Sequence, residues 1–140
     1  MDKFTTKSFE ETQKIGIEFA KHVLSMDVQK TALVLALSGD LGAGKTKFLQ
    51  GFAQGLGIEE IVNSPTFVIM KRFGNFYHID CYRLEKPEEI VELGFQEIIS
   101  NPENIVAIEW PEKIAGILPK NAVKINFKHL EENKREIMIQ

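Results

Sequence analysis

The stretch "SGDLGAGKTKF", Ser38 to Phe48, constrains this chain more than any other. It joins a continuous apolar run, "TALVLALS" at 31–38, to a helical pattern in which Phe48, Leu49, Phe52, Ala53 and Leu56 recur on one face. A buried-type strand, a glycine-rich turn and a helix are therefore expected in that order. Within the turn, Gly39-x-x-x-x-Gly44-Lys45-Thr46 has the spacing of a phosphate-binding loop. Glycines let backbone N–H groups approach an anion closely, and successive N–H groups converge into a nest. A helix starting near Lys45 adds the positive end of its dipole. Lys45 can reach β- and γ-phosphate oxygens, and the Thr46 hydroxyl can ligate Mg²⁺. The spacing thus points to a triphosphate with its metal, and the extra Gly42 and Ala43 fit a tightly wrapped loop.

The rest of the chain supplies an α/β frame. Ser8 followed by Glu11 makes a capping box, so a helix should begin near Phe9, with Ile15, Phe19 and Val23 on its apolar face. "FVIMKRF" and "FYHIDC" flank Gly74-Asn75 and read as an antiparallel hairpin. Pro87 opens a short helix over 88–93, Gly94 ends it, and a second short helix covers 96–100. "IVAIEW" at 105–110 is another buried-type strand, stopped by Pro111. Val123, Ile125 and Phe127 alternate with Lys124, Asn126 and Lys128, which suits an antiparallel strand wet on one face, with "REIMIQ" beside it. The charge run "EENKRE" reads as a solvated turn. The expected fold is a P-loop NTPase-like α/β single domain over residues 1–140. Its sheet is mixed and mainly parallel, flanked by helices, with an antiparallel hairpin and antiparallel C-terminal strands.

Composition narrows the function. With 140 residues, a net charge of −3 and one cysteine, Cys81, nothing at chain level announces direct nucleic-acid binding, a disulfide framework or a cysteine-rich zinc site. No apolar stretch approaches the roughly 20 residues of a membrane span. A cytoplasmic protein is expected.

A metal-bound triphosphate needs further acids to orient the metal or its waters. Asp80 ends "FYHID" and Glu109 ends "IVAIE", and both are expected near the metal, one directly and one through water. Trp110 either stacks on a base or ribose or is a core tryptophan. His78 shares a strand face with Asp80, either as a proton shuttle or as a structural histidine. Thr66, after Ser64-Pro65, is a γ-phosphate-sensing hydroxyl or a turn threonine. Arg83 is a further candidate for phosphate or a carboxylate.

Together "GDLGAGKT", "VNSPTF", "HIDCYRL" and "VAIEWPE", with the helix opening "SFEET", resemble the conserved blocks of the TsaE (YjeE) family in order and spacing. The resemblance implies a bacterial P-loop ATPase needed for N6-threonylcarbamoyladenosine in tRNA, beside the anticodon. It implies ATP and Mg²⁺ as cofactors and a TsaB–TsaD heterodimer as partner, with tRNA engaged indirectly through that complex. On the matching positions, Leu41 to Thr46 surround the phosphates, Thr46 and Glu109 contact Mg²⁺, and Asp80 serves hydrolysis. Trp110 lies near the nucleotide and Thr66 in a switch-like segment. Lys47 stands where the family usually has a second threonine. Two other functions share the loop: a small-molecule kinase, and a non-hydrolysing nucleotide sensor or GTP switch. The chain carries no obvious arginine-rich lid segment and no Asn-Lys-x-Asp stretch, since "NKRE" lacks the final Asp.

Overall fold

The computed structural model describes residues 2–27, 29–40, 43–60, 69–131 and 133–140. These form two compact units, each assembled from separate chain segments. One comprises Met1–Asp27, Gly39–Ser64 and Ile125–Gln140, the other Val28–Ser38 and Pro65–Lys124.

In the first unit, strand β1 (Asp2–Thr6) leads into helix α1 (Phe9–Leu24). The serine cap is formed, the Glu11 N–H donating to Ser8 Oγ at 3.1 Å, while the Glu11 carboxylate reaches one residue beyond the usual capping-box partner and accepts the Lys7 N–H at 2.7 Å. Helix α2 (Lys45–Gly55) packs on α1. The two approach closely because their contact is lined by glycine. A Cβ on Gly16 would collide with the Phe48 carbonyl, and one on Gly51 with the Gln13 carbonyl. Phe48 and Phe52 are fully enclosed, with the Phe19 ring 6.1 and 5.8 Å away. Gly57, at φ 88°, closes α2 by donating its N–H to the Gln54 carbonyl.

The unit's remaining strands are β6 (Val123–Glu131) and β7 (Lys134–Ile139), and β7 pairs antiparallel with both β1 and β6. On β6 the expected alternation holds: Ile125 and Phe127 are buried while Lys124, Asn126 and Lys128 are exposed. The amino-terminal strand β1 was not expected. Its "DKFTT" carries too few apolar residues to announce a strand, and pairing with β7 creates it. The charge run expected as a solvated turn holds only in part: Glu131, Asn133 and Lys134 are exposed, but the run continues into a strand. Lys134 and Arg135 begin β7, and Arg135 is buried, its guanidinium 4.1 Å from the Phe9 ring centroid. The planar cation stacked on an aromatic face explains how a charged residue tolerates that burial.

The second unit is built on strands β2 (Leu33–Gly39), β3 (Met70–Phe73), β4 (Phe76–Asp80) and β5 (Ile105–Glu109), in the order β2-β5-β4-β3. The β2–β5 and β5–β4 pairs are parallel, and β3–β4 is the antiparallel hairpin turning at Gly74-Asn75. A mixed α/β fold, parallel at its centre with antiparallel additions, is thus what the chain adopts. Short helices α3 (Glu88–Val91) and α4 (Phe95–Ser100) follow β4. Val34, Ile79, Val106 and Ile108 from the strands pack with Leu84, Ile90, Phe95 and Ile114 into one apolar core.

The glycine-lined helix contact generates a stability prediction. Alanine is a better helix former than glycine by about 1 kcal/mol, yet Gly51→Ala is expected to destabilise by about 1–3 kcal/mol because the methyl must displace backbone. Urea unfolding checks this; a variant as stable as the parent contradicts the close approach.

Candidate functional site

The glycine-rich turn lies where β2 hands the chain to α2. Two of its glycines are needed for their backbone alone. Gly39 has φ 145° and its missing Cβ would meet the Phe127 carbonyl at 2.5 Å; Gly44 has φ 103° and faces Thr12 and the Arg135 side chain. Gly44 is also the residue that precedes the first turn of α2, and it has no side chain with which to cap it. The two long helices of this unit differ tellingly. Helix α1 has a serine cap and two glutamates in its first turn, whereas α2 has neither a side-chain cap nor an acid there. The positive end of the α2 dipole therefore has no acid in its own first turn to offset it.

Lys45 stands at that end. It is 5% exposed, and its ammonium donates to the Gly39 carbonyl at 2.7 Å, reaching back across the turn. Ala43 is buried, and its N–H donates to the Asp40 carbonyl. Thr46 follows on the first turn of α2, half-buried. Leu41, Gly42 and Thr66 lie outside the described residues.

In the second unit, sheet register brings the two expected acids together. Asp80 pairs with Glu109, and Glu109 in turn pairs with Leu37, two residues before Gly39 in the chain. Both acids thus end parallel strands on one row, at the carboxyl edge where α/β sheets place their ligands. Glu109 is 4% exposed, and its Oε2 is 2.7 Å from His78 Nε2. The Asp80 Oδ1 accepts the Tyr82 N–H at 3.0 Å, fixing the bend after β4. His78 therefore contacts Glu109, a pairing across strands that one-dimensional spacing does not announce. The donors are oxygens of a hard-cation type, and no group of three or more histidine, cysteine or acidic side chains fit to hold a metal occurs among the described residues. That composition suits Mg²⁺, which keeps several waters and takes one or two protein oxygens with its phosphates.

Trp110 has φ 58° and ψ 51°, and among the described residues it is the one non-glycine at positive φ. Its ring meets that of Tyr82 edge-on at 5.1 Å and packs partly on the core. Such a backbone outlier on a bulky residue persists only where its surroundings enforce it. Pro111 begins the short 3-10 helix Pro111–Ile114, whose Glu112 accepts a hydrogen bond from Ser38 Oγ at 3.0 Å. Sequence reasoning gave Tyr82 and Glu112 no role, although both lie in stretches singled out for their motifs. Arg83 is exposed.

Cys81, between Asp80 and Tyr82, is fully enclosed. Burial first, then the Asp80 and Glu112 carboxylates, push its thiol from 9.0 up to about 12. No described helix is long and apolar enough to cross a membrane.

These features define a mixed α/β protein with a glycine-rich strand-to-helix turn. The chain belongs to the TsaE family: residues 6–137 match the family described as threonylcarbamoyl adenosine biosynthesis protein TsaE. It is 42% identical to the tRNA threonylcarbamoyladenosine biosynthesis protein TsaE of Bacillus subtilis, over 96% of this chain and 82% of that one. It is 37% identical to the Haemophilus influenzae protein of the same name, over 85% and 77%. The crystal structure of Bacillus subtilis YdiB superposes with a TM-score of 0.79 at 35% identity, covering 99% of this chain and 83% of that one.

The Cys81 environment generates a prediction. Native protein at pH 8 should react with a thiol reagent at least about a hundredfold more slowly than unfolded chain, because only the thiolate attacks. The folded value lies above the unfolded one, so this thiol's contribution to stability is full below about pH 9 and is lost as pH rises towards 12. Equal labelling of native and unfolded protein contradicts the buried, neutral thiol.

Proposed function

We propose that this protein binds and hydrolyses Mg-ATP in the threonylcarbamoyladenosine modification of tRNA, acting with a TsaB–TsaD pair. The two compact units serve as one catalytic domain. The observation that carries this reading is the buried Lys45 ammonium at the uncapped end of α2, held across a glycine turn. A desolvated cation at the start of a helix whose first turn carries neither a side-chain cap nor an acid is suited to meeting a polyanion. Support for the domain reading comes from the interleaving of the chain, since each unit is completed by segments far apart in sequence. Family membership supports the pathway.

Each residue then has a task. Backbone N–H groups from Leu41 to Thr46 receive the phosphate oxygens, and the Lys45 ammonium exchanges the Gly39 carbonyl for the β- and γ-phosphates. The Thr46 hydroxyl and Glu109 hold Mg²⁺, with Asp80 on its waters or on the attacking water. Magnesium, when bound, neutralises charge on the phosphate oxygens. Trp110 offers its ring to the nucleotide, and Thr66 senses the γ-phosphate. Turnover alone is slow, and a partner that completes water positioning and charge neutralisation adds a factor on the order of 10³ to 10⁵. With a net charge of −3 the chain is a poor direct ligand for RNA, so tRNA is engaged through the complex. The cytoplasm is the compartment where such a complex works.

The testing experiment is calorimetry and turnover on three variants. Lys45→Ala is expected to weaken ATP binding about 10- to 100-fold, the loss of one or two charge-assisted hydrogen bonds. Asp80→Asn and Glu109→Gln should lower kcat at least about a hundredfold while the melting temperature holds near the parent value. Unchanged ATP affinity in Lys45→Ala contradicts the loop reading. Radiolabel from γ-labelled ATP recovered on a metabolite instead of as inorganic phosphate would favour a small-molecule kinase. Equal affinity for GTP would contradict the choice of adenine.

A further inference from the structure

His78 is fully enclosed on β4, and its one polar partner among the described residues is Glu109 Oε2, 2.7 Å from Nε2. Nδ1 has no partner. Two acceptors cannot share a hydrogen bond, so an ionised Glu109 requires the proton on Nε2. A second ring proton on Nδ1 would be a buried N–H without an acceptor, which folded proteins rarely contain. The geometry therefore places a proton on Nε2, donating to the carboxylate.

That donor has a mechanical consequence. The last torsion of a glutamate is broad and nearly unrestrained, whereas Mg²⁺ demands near-ideal octahedral geometry. A strand-end glutamate serving this ion needs its carboxylate plane fixed, and a hydrogen bond to one oxygen fixes it. Both residues are anchored by the sheet: the β4–β5 register pairs His78 with Ala107 and Asp80 with Glu109, and the Cys81 N–H donates to the Glu109 carbonyl at 3.0 Å. We infer that His78 is the positioning residue of the metal site, setting the orientation of Glu109 through its Nε2–H while touching no reacting group. The inference rests on the proposed metal role of Glu109 and deepens it.

The test compares His78→Phe, which keeps bulk and loses the donor, with His78→Gln, which keeps an N–H near the Nε2 position. The readouts are the Mg²⁺ dependence of ATP turnover, Mn²⁺ binding in the presence of nucleotide by electron paramagnetic resonance, metal-free ATP affinity, and the ring tautomer from a long-range ¹H–¹⁵N spectrum of the unaltered chain. His78→Phe is expected to raise the Mg²⁺ and Mn²⁺ requirement about 10- to 100-fold, with Gln restoring it to within a few-fold, as for other groups that orient a metal ligand. Metal-free ATP affinity should stay within about twofold for both, because neither variant touches the glycine turn. The spectrum should show Nε2 protonated. A parental metal requirement in folded His78→Phe overturns the inference, as does a ring without a proton on Nε2. If Phe prevents folding, the Gln variant and the spectrum decide, and a tenfold metal loss in Gln counts against the donor role. Glu109→Gln separates the two levels. If it too leaves the metal requirement unchanged, the metal role of Glu109 fails and that of His78 with it; if it raises the requirement while His78→Phe does not, only His78 is wrongly assigned.

Discussion

The Lys45 ammonium is the constraint on which the rest of this structure depends. Burying a charge to 5% exposure is costly unless strong partners compensate. The Gly39 carbonyl, 2.7 Å away, is one such partner, and it is available only because the turn doubles back over six residues. That doubling back sets the glycines: Gly39 must approach the Phe127 backbone, and Gly44 must take positive φ before the helix. It also places the uncapped start of α2 beside the cation. The chain has concentrated positive potential at one point and supplied no acid in that first turn to cancel it. On the proposed reading, a polyphosphate is the group that resolves this imbalance.

The acids obey a complementary logic. Asp80 and Glu109 end neighbouring parallel strands in register, so two carboxylates share one edge. Like charges so placed repel unless a cation or hydrogen-bond donors intervene. The structure supplies donors for each: the Tyr82 N–H for Asp80 and the His78 ring for Glu109. After Glu109 the backbone passes through the left-handed Trp110, and Glu112 then reaches Ser38, the last residue before the glycine turn. Two links therefore tie the acid-bearing segment to the strand that feeds the turn: the β2–β5 ladder and this side-chain bond.

Much of this was legible in the amino-acid order because the physics involved is local. A serine cap with its glutamate, a glycine-rich turn between an apolar run and a helical stripe, and a glycine-asparagine hairpin each announce themselves within a few residues. The strand-end positions of Asp80 and Glu109 were legible because acids following apolar runs can be read from one segment at a time. What was not legible depends on pairing across the fold. Strand β1 is polar in sequence and exists through its ladder with β7. Arg135 looked solvated because its neighbours are charged, and the Phe9 ring and the Asn133 carbonyl that help make its burial tolerable are not announced by the charge run. The partner of His78 is 31 residues away on an adjacent strand, and no spacing rule reaches that far.

The most direct measurement is a crystal structure with a non-hydrolysable ATP analogue and Mg²⁺. The account predicts β- and γ-phosphates on the backbone N–H groups of residues 41–46, Lys45 turned from the Gly39 carbonyl onto them, and the metal between the Thr46 hydroxyl and Glu109. Phosphates bound elsewhere, with Lys45 still on Gly39 and the turn empty, would contradict it.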